Sequence, residues 1–178
     1  MVEFREITDG LMFPEGPIAM LDGSVLLVEI ARRTLTRVLP NGQKEIVAET
    51  GGGPNGAAIG PDGHCYICNN GGFEFASAGA GLQPVREAHD YSGGRIERVN
   101  LETGAVEVLY RGTHEQALKG PNDLVFDDQG GFYFTDLGKV RPREMDRGAL
   151  YYAKADGSLI KEIAFPLLTP NGLSLIHI

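Results

Sequence analysis

Four segments of the sequence place an oxygen-bearing side chain directly after a proline. These side chains belong to Glu15, Asn55, Asn122 and Asn171. Carboxylate and amide oxygens are the ligands that hard divalent cations such as Ca²⁺, Mg²⁺ and Mn²⁺ prefer. If the fold brings the four segments together, the sequence predicts a cation site. The alternative is that Pro-Asn-Gly triplets are only turns at the start of strands, and for Asn55 in particular both interpretations stay open.

An internal repeat explains why these segments recur and how they would be positioned. In the first three copies, a turn glycine lies eight residues after the polar residue, and a short apolar run ends on a second polar residue fourteen residues after it. The turn glycines are Gly23, Gly63 and Gly130, and the closing polar residues are Glu29, Asn69 and Asp136. Each copy therefore predicts a hairpin of two short strands.

More strand-like sequence follows each hairpin, and this predicts the fold class. After the first hairpin it comprises residues 34–39 and 45–48, which are separated by an Asn-Gly turn. Four antiparallel strands in a repeat form one blade of a β-propeller. The sequence thus predicts an all-β fold, a single partial propeller over residues 1–178 with blades that start near 15, 55, 122 and 171. About three and a half blades are present.

The interval between the second and third copies is longer than the others because it contains an extra stretch at about residues 71–91. This stretch is rich in Gly and Ala and has few strand signals, so we predict an inserted loop. Long loops of this kind often act as lids over a site. A tolerated surface insertion is the other interpretation.

Composition and charge exclude several classes of protein. The chain has 16 Lys and Arg residues against 24 Asp and Glu residues, a net charge of −8, and it shows no basic stripe. We therefore exclude a nucleic-acid partner. No segment approaches the roughly 20 apolar residues of a membrane span, and the N-terminus has no apolar signal region. We expect no membrane association and a cytoplasmic location.

The two cysteines, Cys65 and Cys68, form a single C-x-x-C on a predicted strand. Their odd offset turns the two thiols to opposite faces of the sheet, which disfavours a disulfide or a shared metal. A second Cys/His pair at zinc-finger spacing is missing from the sequence. We predict two buried structural cysteines.

Four motifs resemble those of the gluconolactonase-like (senescence marker protein/regucalcin-type) family, and together they extend over most of the chain. The motifs are Phe13–Pro17, Gly120–Asp123, Phe132–Asp136 and Thr169–Gly172. The resemblance implies a six-bladed propeller with one divalent metal in its channel. It also implies a function, since several members of the family hydrolyse sugar lactones.

The resemblance also implies roles for individual residues. Glu15 and Asn171 match metal ligands of the family, and Asn122 matches an asparagine that contacts metal-bound water or substrate. Asp136 and Asn55 are candidates for residues that orient these groups without binding the metal themselves. The implied cofactor is one divalent cation, Ca²⁺ first, with Zn²⁺, Mg²⁺ and Mn²⁺ as alternatives. The family's proposed general base is an aspartate about one blade after Asn171, past the last residue of this sequence, so no catalytic base is assigned.

These observations predict a divalent-metal-dependent hydrolase that converts a small-molecule lactone, a sugar lactone by resemblance, to a hydroxy acid. We expect the polypeptide to be the front part of such an enzyme and to be inactive alone. A serine-dependent mechanism is not supported, because the sequence has no G-x-S-x-G motif. The alternatives are a non-catalytic propeller that serves as a binding module, and an incomplete gene product.

Overall fold

A computed structural model describes residues 4–79 and 81–175 of the chain. These residues form three four-stranded antiparallel sheets and one separate two-stranded hairpin. This confirms the predicted all-β class. Within the described part of the chain, no helix is long and apolar enough to cross a membrane.

The three sheets follow one another along the chain, and the strands within each sheet are paired in sequence order. The strands are β1 (Pro14–Ala19), β2 (Val25–Glu29), β3 (Thr34–Val38), β4 (Lys44–Glu49), β5 (Pro54–Ile59), β6 (Cys65–Asn69), β7 (Phe73–Ala78), β8 (Gly81–Glu87), β9 (Arg95–Val99), β10 (Val106–Tyr110), β11 (Pro121–Phe126), β12 (Gly131–Asp136), β13 (Gly148–Lys154) and β14 (Ile160–Leu167). The first sheet is β1-β2-β3-β4, the second is β5-β6-β9-β10 and the third is β11-β12-β13-β14. Only the second sheet is interrupted, by the inserted strands β7 and β8.

The first hairpin of each sheet turns at the glycine that the repeat predicts. Gly23, Gly63 and Gly130 have φ angles of 81°, 77° and 78°, in the left-handed region that other residues rarely adopt. In the first of these turns, the carboxylate of Asp22 also accepts a 2.9 Å hydrogen bond from the N–H of Ser24. The spacing of these glycines therefore fixes where each hairpin reverses, and with it the register of the polar residue at the start of the inner strand.

The apolar core lies between neighbouring sheets rather than inside one of them. Val28, Leu35 and Ile67 belong to the cluster that joins the first sheet to the second. Phe132 and Phe134 belong to the cluster that joins the second sheet to the third. Both faces of the middle sheet are therefore covered, which explains why its central strand β6 is buried along its whole length.

The two cysteines of β6 lie in different clusters. Cys65 packs in the cluster between the first and second sheets, and Cys68 packs in the cluster between the second and third. Both thiols are free and buried, and burial raises the pKa of Cys65 to about 12. The prediction of two structural cysteines on opposite faces is confirmed.

The stretch 71–91 differs from the inserted loop that the sequence predicted. Most of it forms the β7–β8 hairpin, which is inserted between β6 and β9 and pairs with neither. Its sequence has weak strand signals because Gly, Ala and Pro84 disfavour sheets. The hairpin is held instead by tertiary contacts, among them the Phe75 ring, whose centroid lies 5.2 Å from that of Phe13.

Candidate metal and substrate site

The first strands of the three sheets lie side by side, β1 next to β5 and β5 next to β11. Their N-terminal ends and the segment that follows Pro170 enclose a cleft of about 270 Å³. Five polar side chains line this cleft: Glu15, Asn55, Asn122, Asp123 and Asn171. The structure therefore brings the four predicted oxygen-bearing residues to one place. Asp136, the fifth predicted residue, does not line the cleft.

Two glycines allow the inner strands to approach closely enough to form the cleft. A Cβ added to Gly16 would lie 2.7 Å from the backbone nitrogen of Ala57 in β5. A Cβ added to Gly56 would lie 2.5 Å from the backbone oxygen of Asn122 in β11. Since real Cβ atoms do not come this close to other heavy atoms, Gly16 and Gly56 are required by packing of one inner strand on the next.

Each inner strand also carries a β-bulge at its leading polar residue. The register with the second strand shifts between Glu15 and Ile18 in β1, between Pro54 and Gly56 in β5, and between Pro121 and Leu124 in β11. A bulge places an extra residue on one strand and changes the direction of its side chain. The three bulges thus turn the start of each inner strand toward the common cleft.

The two residues predicted as metal ligands each follow a strained backbone. Phe13 and Thr169 precede Pro14 and Pro170, and their φ angles are 56° and 43°. A bulky or β-branched residue rarely adopts this left-handed conformation, and the proline that follows disfavours it further. At the equivalent positions before Pro54 and Pro121 the chain has glycine without a positive φ. Backbone strain of this kind is concentrated at functional sites.

Asp123 is a cleft residue that the sequence analysis did not assign. Its carboxylate accepts hydrogen bonds from the backbone N–H of Leu124 at 2.9 Å and of Leu173 at 2.8 Å. The second bond ties the segment that contains Asn171 to the third sheet, as does the 2.9 Å bond from the Thr135 hydroxyl to the backbone oxygen of Asn171. The available signal was the repeat itself, because the other three copies have glycine where this copy has Asp123.

The polar residues that close each hairpin, Glu29, Asn69 and Asp136, are buried and share one structural role. The side chain of each accepts a hydrogen bond from a backbone N–H in the loop just before the inner strand of its own sheet. The donors are Met12 at 2.6 Å, Gly53 at 2.8 Å and Gly120 at 2.7 Å. We call these three residues the loop clips. They fix the loops that lead into the inner strands, at the start of which Glu15, Asn55 and Asn122 lie.

The pKa values of the two carboxyl clips, Asp136 and Glu29, are shifted in opposite directions. Burial raises the pKa of the Asp136 carboxyl, and the N–H groups of Lys119, Gly138 and Gly120 offset this only in part. Burial also acts on Glu29, but there the N–H of Met12 and the guanidinium of Arg32 prevail and hold its pKa below the usual range. Asp136 thus acts on the cleft through the backbone before Asn122, and its carboxylate oxygens are already occupied by backbone donors.

The donor set of the cleft fits a hard cation. Glu15 and Asp123 supply carboxylates, and the asparagines supply amide oxygens, which are ligands that Ca²⁺ accepts in flexible arrangements. Within residues 4–79 and 81–175, no three His, Cys, Asp or Glu side chains meet at one point. A cation in this cleft would therefore depend on the amide oxygens of Asn122 and Asn171 as well as on Glu15.

Comparisons with known proteins agree with this architecture. The chain is 25% identical to a gluconolactonase of Zymomonas mobilis over an alignment 190 residues long, which covers 95% of this chain and 47% of that protein. It is 24% identical to lactonase drp35 of Staphylococcus epidermidis over 173 residues, 96% of this chain and 46% of that protein. The chain thus spans about half the length of the curated relatives it matches.

Solved structures show the same fold. A gluconolactonase from Xanthomonas campestris superposes with a TM-score of 0.69 at 20% identity, over 93% of this chain and 52% of that one. A chain of a nidogen/laminin complex superposes with a TM-score of 0.62 at 20% identity, over 91% of this chain and 52% of that one. A family model described as the SMP-30/gluconolactonase/LRE-like region matches residues 13–177. The chain therefore belongs to the SMP-30/gluconolactonase/LRE-like family.

Proposed function

We propose that this chain supplies part of the active site of a divalent-metal-dependent lactone hydrolase, which opens a lactone ring to a hydroxy acid. One observation carries the proposal: Glu15, Asn122 and Asn171 line a single cleft where the inner strands begin. Membership of a family that includes gluconolactonases supports the reaction class.

In this proposal Glu15 and Asn171 hold the cation, and Ca²⁺ is the preferred ion because amide and carboxylate oxygens suit it. When bound, the cation supplies Lewis-acid chemistry that stabilises the negative charge developing on the lactone carbonyl oxygen. The strained residues before Pro14 and Pro170 restrain both ligand segments. The Asn171 segment is also held by the hydrogen bond that Leu173 N–H donates to Asp123 and by the one that the Thr135 hydroxyl donates to the Asn171 carbonyl.

Asn122 orients the lactone. Its side chain is only 6% exposed and lines the cleft, and its amide offers both a donor and an acceptor to a bound ester or hydroxyl group. Asp123 is poorly placed to act as a base, since both of its oxygens accept backbone hydrogen bonds. By family resemblance the base of the whole protein is an aspartate about one blade after Asn171.

Cation binding is the primary test, because it needs no turnover and the chain spans only half the length of its relatives. Isothermal titration with Ca²⁺ is expected to show one site, and Glu15→Gln is expected to weaken it at least tenfold because the ligand loses its charge. Glu45→Gln, an exposed carboxylate on β4, is the matched control and is expected to change nothing. Equal affinity of Glu15→Gln and the parent chain would refute the site.

Hydrolysis is tested in a protein that contains all its blades, by following acid release from gluconolactone and from unsubstituted butyrolactone in a pH-stat. Removal of the metal with EDTA is expected to abolish release above the spontaneous rate, and Ca²⁺ is expected to restore it. Mn²⁺, Mg²⁺ and Zn²⁺ are compared in the same assay.

The free, buried thiols of Cys65 and Cys68 suit a reducing compartment, and we propose the cytoplasm as the location.

A non-catalytic binding module is the second candidate. The likeness to a chain of a nidogen/laminin complex favours it to the extent that the same fold occurs outside enzymes. At 20% identity that likeness concerns the fold alone. Cation binding at Glu15 without acid release from any lactone, in a protein that contains all its blades, would favour the binding module over the hydrolase.

A further inference from the structure

We propose that the β7–β8 hairpin and residues 10–14 form an apolar subsite beside the cation cleft, and that the substrates are lactones with an alkyl or aryl substituent. The proposal rests on the proposed function for the position of the lactone ring. It adds the class of substituent, which nothing in the cation cleft itself determines.

The subsite is a second cleft, of about 570 Å³, between the hairpin and the chain before β1. Its apolar side chains come from Leu11, Met12, Phe13 and Pro14 on one side and from Leu82 on the other. Leu82 is half-buried, whereas the next four residues of β8 are exposed. Among the lining residues that the structure describes, Ser77 alone has a polar side chain, so a polyhydroxylated ring would find few side-chain hydrogen-bond partners there.

Phe13 lines this cleft in an energetically unfavourable backbone conformation. Its φ of 56° is unfavourable for a bulky residue, and a proline follows it. The conformation is maintained by a 3.1 Å hydrogen bond from the N–H of Ile30 to the Phe13 carbonyl and by the contact of its ring with Phe75. A strained apolar residue that faces a cleft and precedes a candidate ligand is consistent with a role in binding rather than in folding alone.

The hairpin is anchored to the third sheet by a buried lysine. Lys139 is 1% exposed, and its Nζ donates to the backbone oxygen of Gly72 at 3.1 Å and to Oδ1 of Asn70 at 3.3 Å. The same Nζ lies 3.8 Å from the centroid of the Phe73 ring and 5.1 Å from that of Tyr91. These contacts hold both ends of the insertion against the loop that follows β12.

Ion pairs anchor the C-terminal side of the insertion to both neighbouring sheets. Arg33 of the first sheet forms two bonds with Asp90, at 2.5 and 2.9 Å. Arg141, which follows β12, donates to Glu87 at 3.0 Å. Exposed ion pairs add little stability individually, but together with Lys139 they fix the two ends of the insertion. Nearer the tip, the ring contact between Phe75 and Phe13 and the pairing of Leu82 with Ser77 hold the wall that contains Leu82 beside the chain before β1.

The subsite adjoins the cation cleft through consecutive residues. Pro14 lines the apolar cleft, and Glu15, the next residue, lines the cation cleft. In this proposal a lactone whose ring lies at Glu15 extends an apolar substituent past Pro14 toward Leu82. A hexyl chain or a phenyl ring on the lactone matches the chemistry of the walls, since burial of its carbon atoms is favourable in proportion to their area.

The first test measures binding without catalysis. Hexylcyclopentanone, a non-hydrolysable analogue of an alkyl-substituted lactone, is titrated into the chain in the presence of Ca²⁺ and followed by ligand-observed NMR, with cyclopentanone as the unsubstituted probe. Leu82→Ser is expected to weaken binding of hexylcyclopentanone roughly tenfold, which corresponds to partial loss of one buried leucine. Val85→Ser, on the same strand but 55% exposed and outside the cleft, is the matched control and is expected to bind as the parent does.

The outcomes separate this inference from the proposed function. Failure of the parent chain to bind hexylcyclopentanone, or equal binding by Leu82→Ser, overturns the subsite. Faster hydrolysis of gluconolactone than of a hexyl-substituted butyrolactone overturns the substrate class while the lactonase proposal stands. The expected loss on Leu82→Ser, without hydrolysis of any lactone by a protein that contains all its blades, supports the subsite and contradicts the lactonase. Circular dichroism of both variants confirms that they fold.

Discussion

The carboxylate of Asp136 accepts a 2.7 Å hydrogen bond from the backbone N–H of Gly120, two residues before Asn122. The same carboxylate accepts bonds from the N–H groups of Lys119 at 2.7 Å and Gly138 at 2.8 Å. Asn69 performs the equivalent task in the second sheet, where its oxygen accepts from Gly53. The single carboxylate of Asp136, the clip of the third sheet, thus accepts hydrogen bonds from three backbone N–H groups.

Asp136→Asn is expected to destabilise the chain by about 2 kcal/mol, because the new amide N–H₂ would face backbone donors instead of acceptors. The reciprocal change, Asn69→Asp, is the matched comparison. The Asn69 amide nitrogen donates to Glu97 at 2.9 Å, so a carboxylate there would lie beside another carboxylate and should also destabilise. Urea unfolding measures both, and wild-type stability of Asp136→Asn would contradict the clip.

Lys139 gives the stability a distinct pH dependence. Burial lowers the pKa of this lysine from 10.5 to about 8. The folded state therefore releases the proton at a lower pH than the unfolded state does, and the contribution of Lys139 to the free energy of unfolding rises as pH increases above 8. Between pH 7 and pH 9.5 this contribution is expected to grow by about 2 kcal/mol, while the buried thiols of Cys65 and Cys68, whose pKa values are raised, act in the opposite direction.

Lys139→Met is the control for this pH dependence, because methionine retains an unbranched side chain without a titrating group. The difference in unfolding free energy between the parent and the variant, measured in urea at pH 7 and pH 9.5, is expected to change by about the same 2 kcal/mol. A difference that stays constant over this range would show that the lysine does not change its protonation there.

Gly56→Ala should damage both stability and the cation cleft. The added Cβ would lie 2.5 Å from the Asn122 backbone oxygen and 2.6 Å from the Asp123 Cα, so β5 and β11 must separate. We expect a loss of about 1–3 kcal/mol in urea unfolding, together with weaker Ca²⁺ binding. Gly81→Ala is the control, because an added Cβ there meets nothing within 4 Å. Unchanged Ca²⁺ affinity in Gly56→Ala would show that the cation site does not depend on the close packing of β5 against β11.

Thr169→Gly tests whether the strained backbone before Pro170 supports the ligand segment. Glycine adopts the φ of 43° without a steric penalty, so the variant is expected to be as stable as the parent or more stable by about 1 kcal/mol. Its Ca²⁺ affinity is expected to fall because Asn171 becomes less restrained. Thr169→Ala keeps the strain and should retain affinity. Equal affinity in the glycine variant would show that the strain has no role in binding.

The sequence predicts the blades well because their signals are local and repeated. The runs that became β2, β6 and β12 are nearly continuous in apolar character and follow turn glycines at a constant offset. The cleft follows from the same repeat, since residues at equivalent positions of neighbouring blades must meet. No long-range information is needed for either conclusion.

Features that depend on distant contacts were not predictable in this way. The β7–β8 hairpin has poor strand propensity, and it is held by Phe13 and Lys139, which are far away in sequence. The clip role of Asp136 depends on backbone donors in a loop, which leave no mark on the side-chain pattern. Asp123 was missed because its contribution depends on the position of Leu173 in the next repeat.

The double anchoring of the β7–β8 hairpin bears on how the molecule unfolds. In a repeat protein whose units contact only their neighbours, end units open independently and amide hydrogens exchange from the ends inward. Here the chain on either side of the hairpin contacts both outer sheets, since Asp90 accepts hydrogen bonds from Arg33 of the first sheet and the Gly72 carbonyl accepts one from Lys139, which follows β12 of the third. The three sheets should consequently open as a single cooperative unit, with similar exchange protection in β2, β6 and β12.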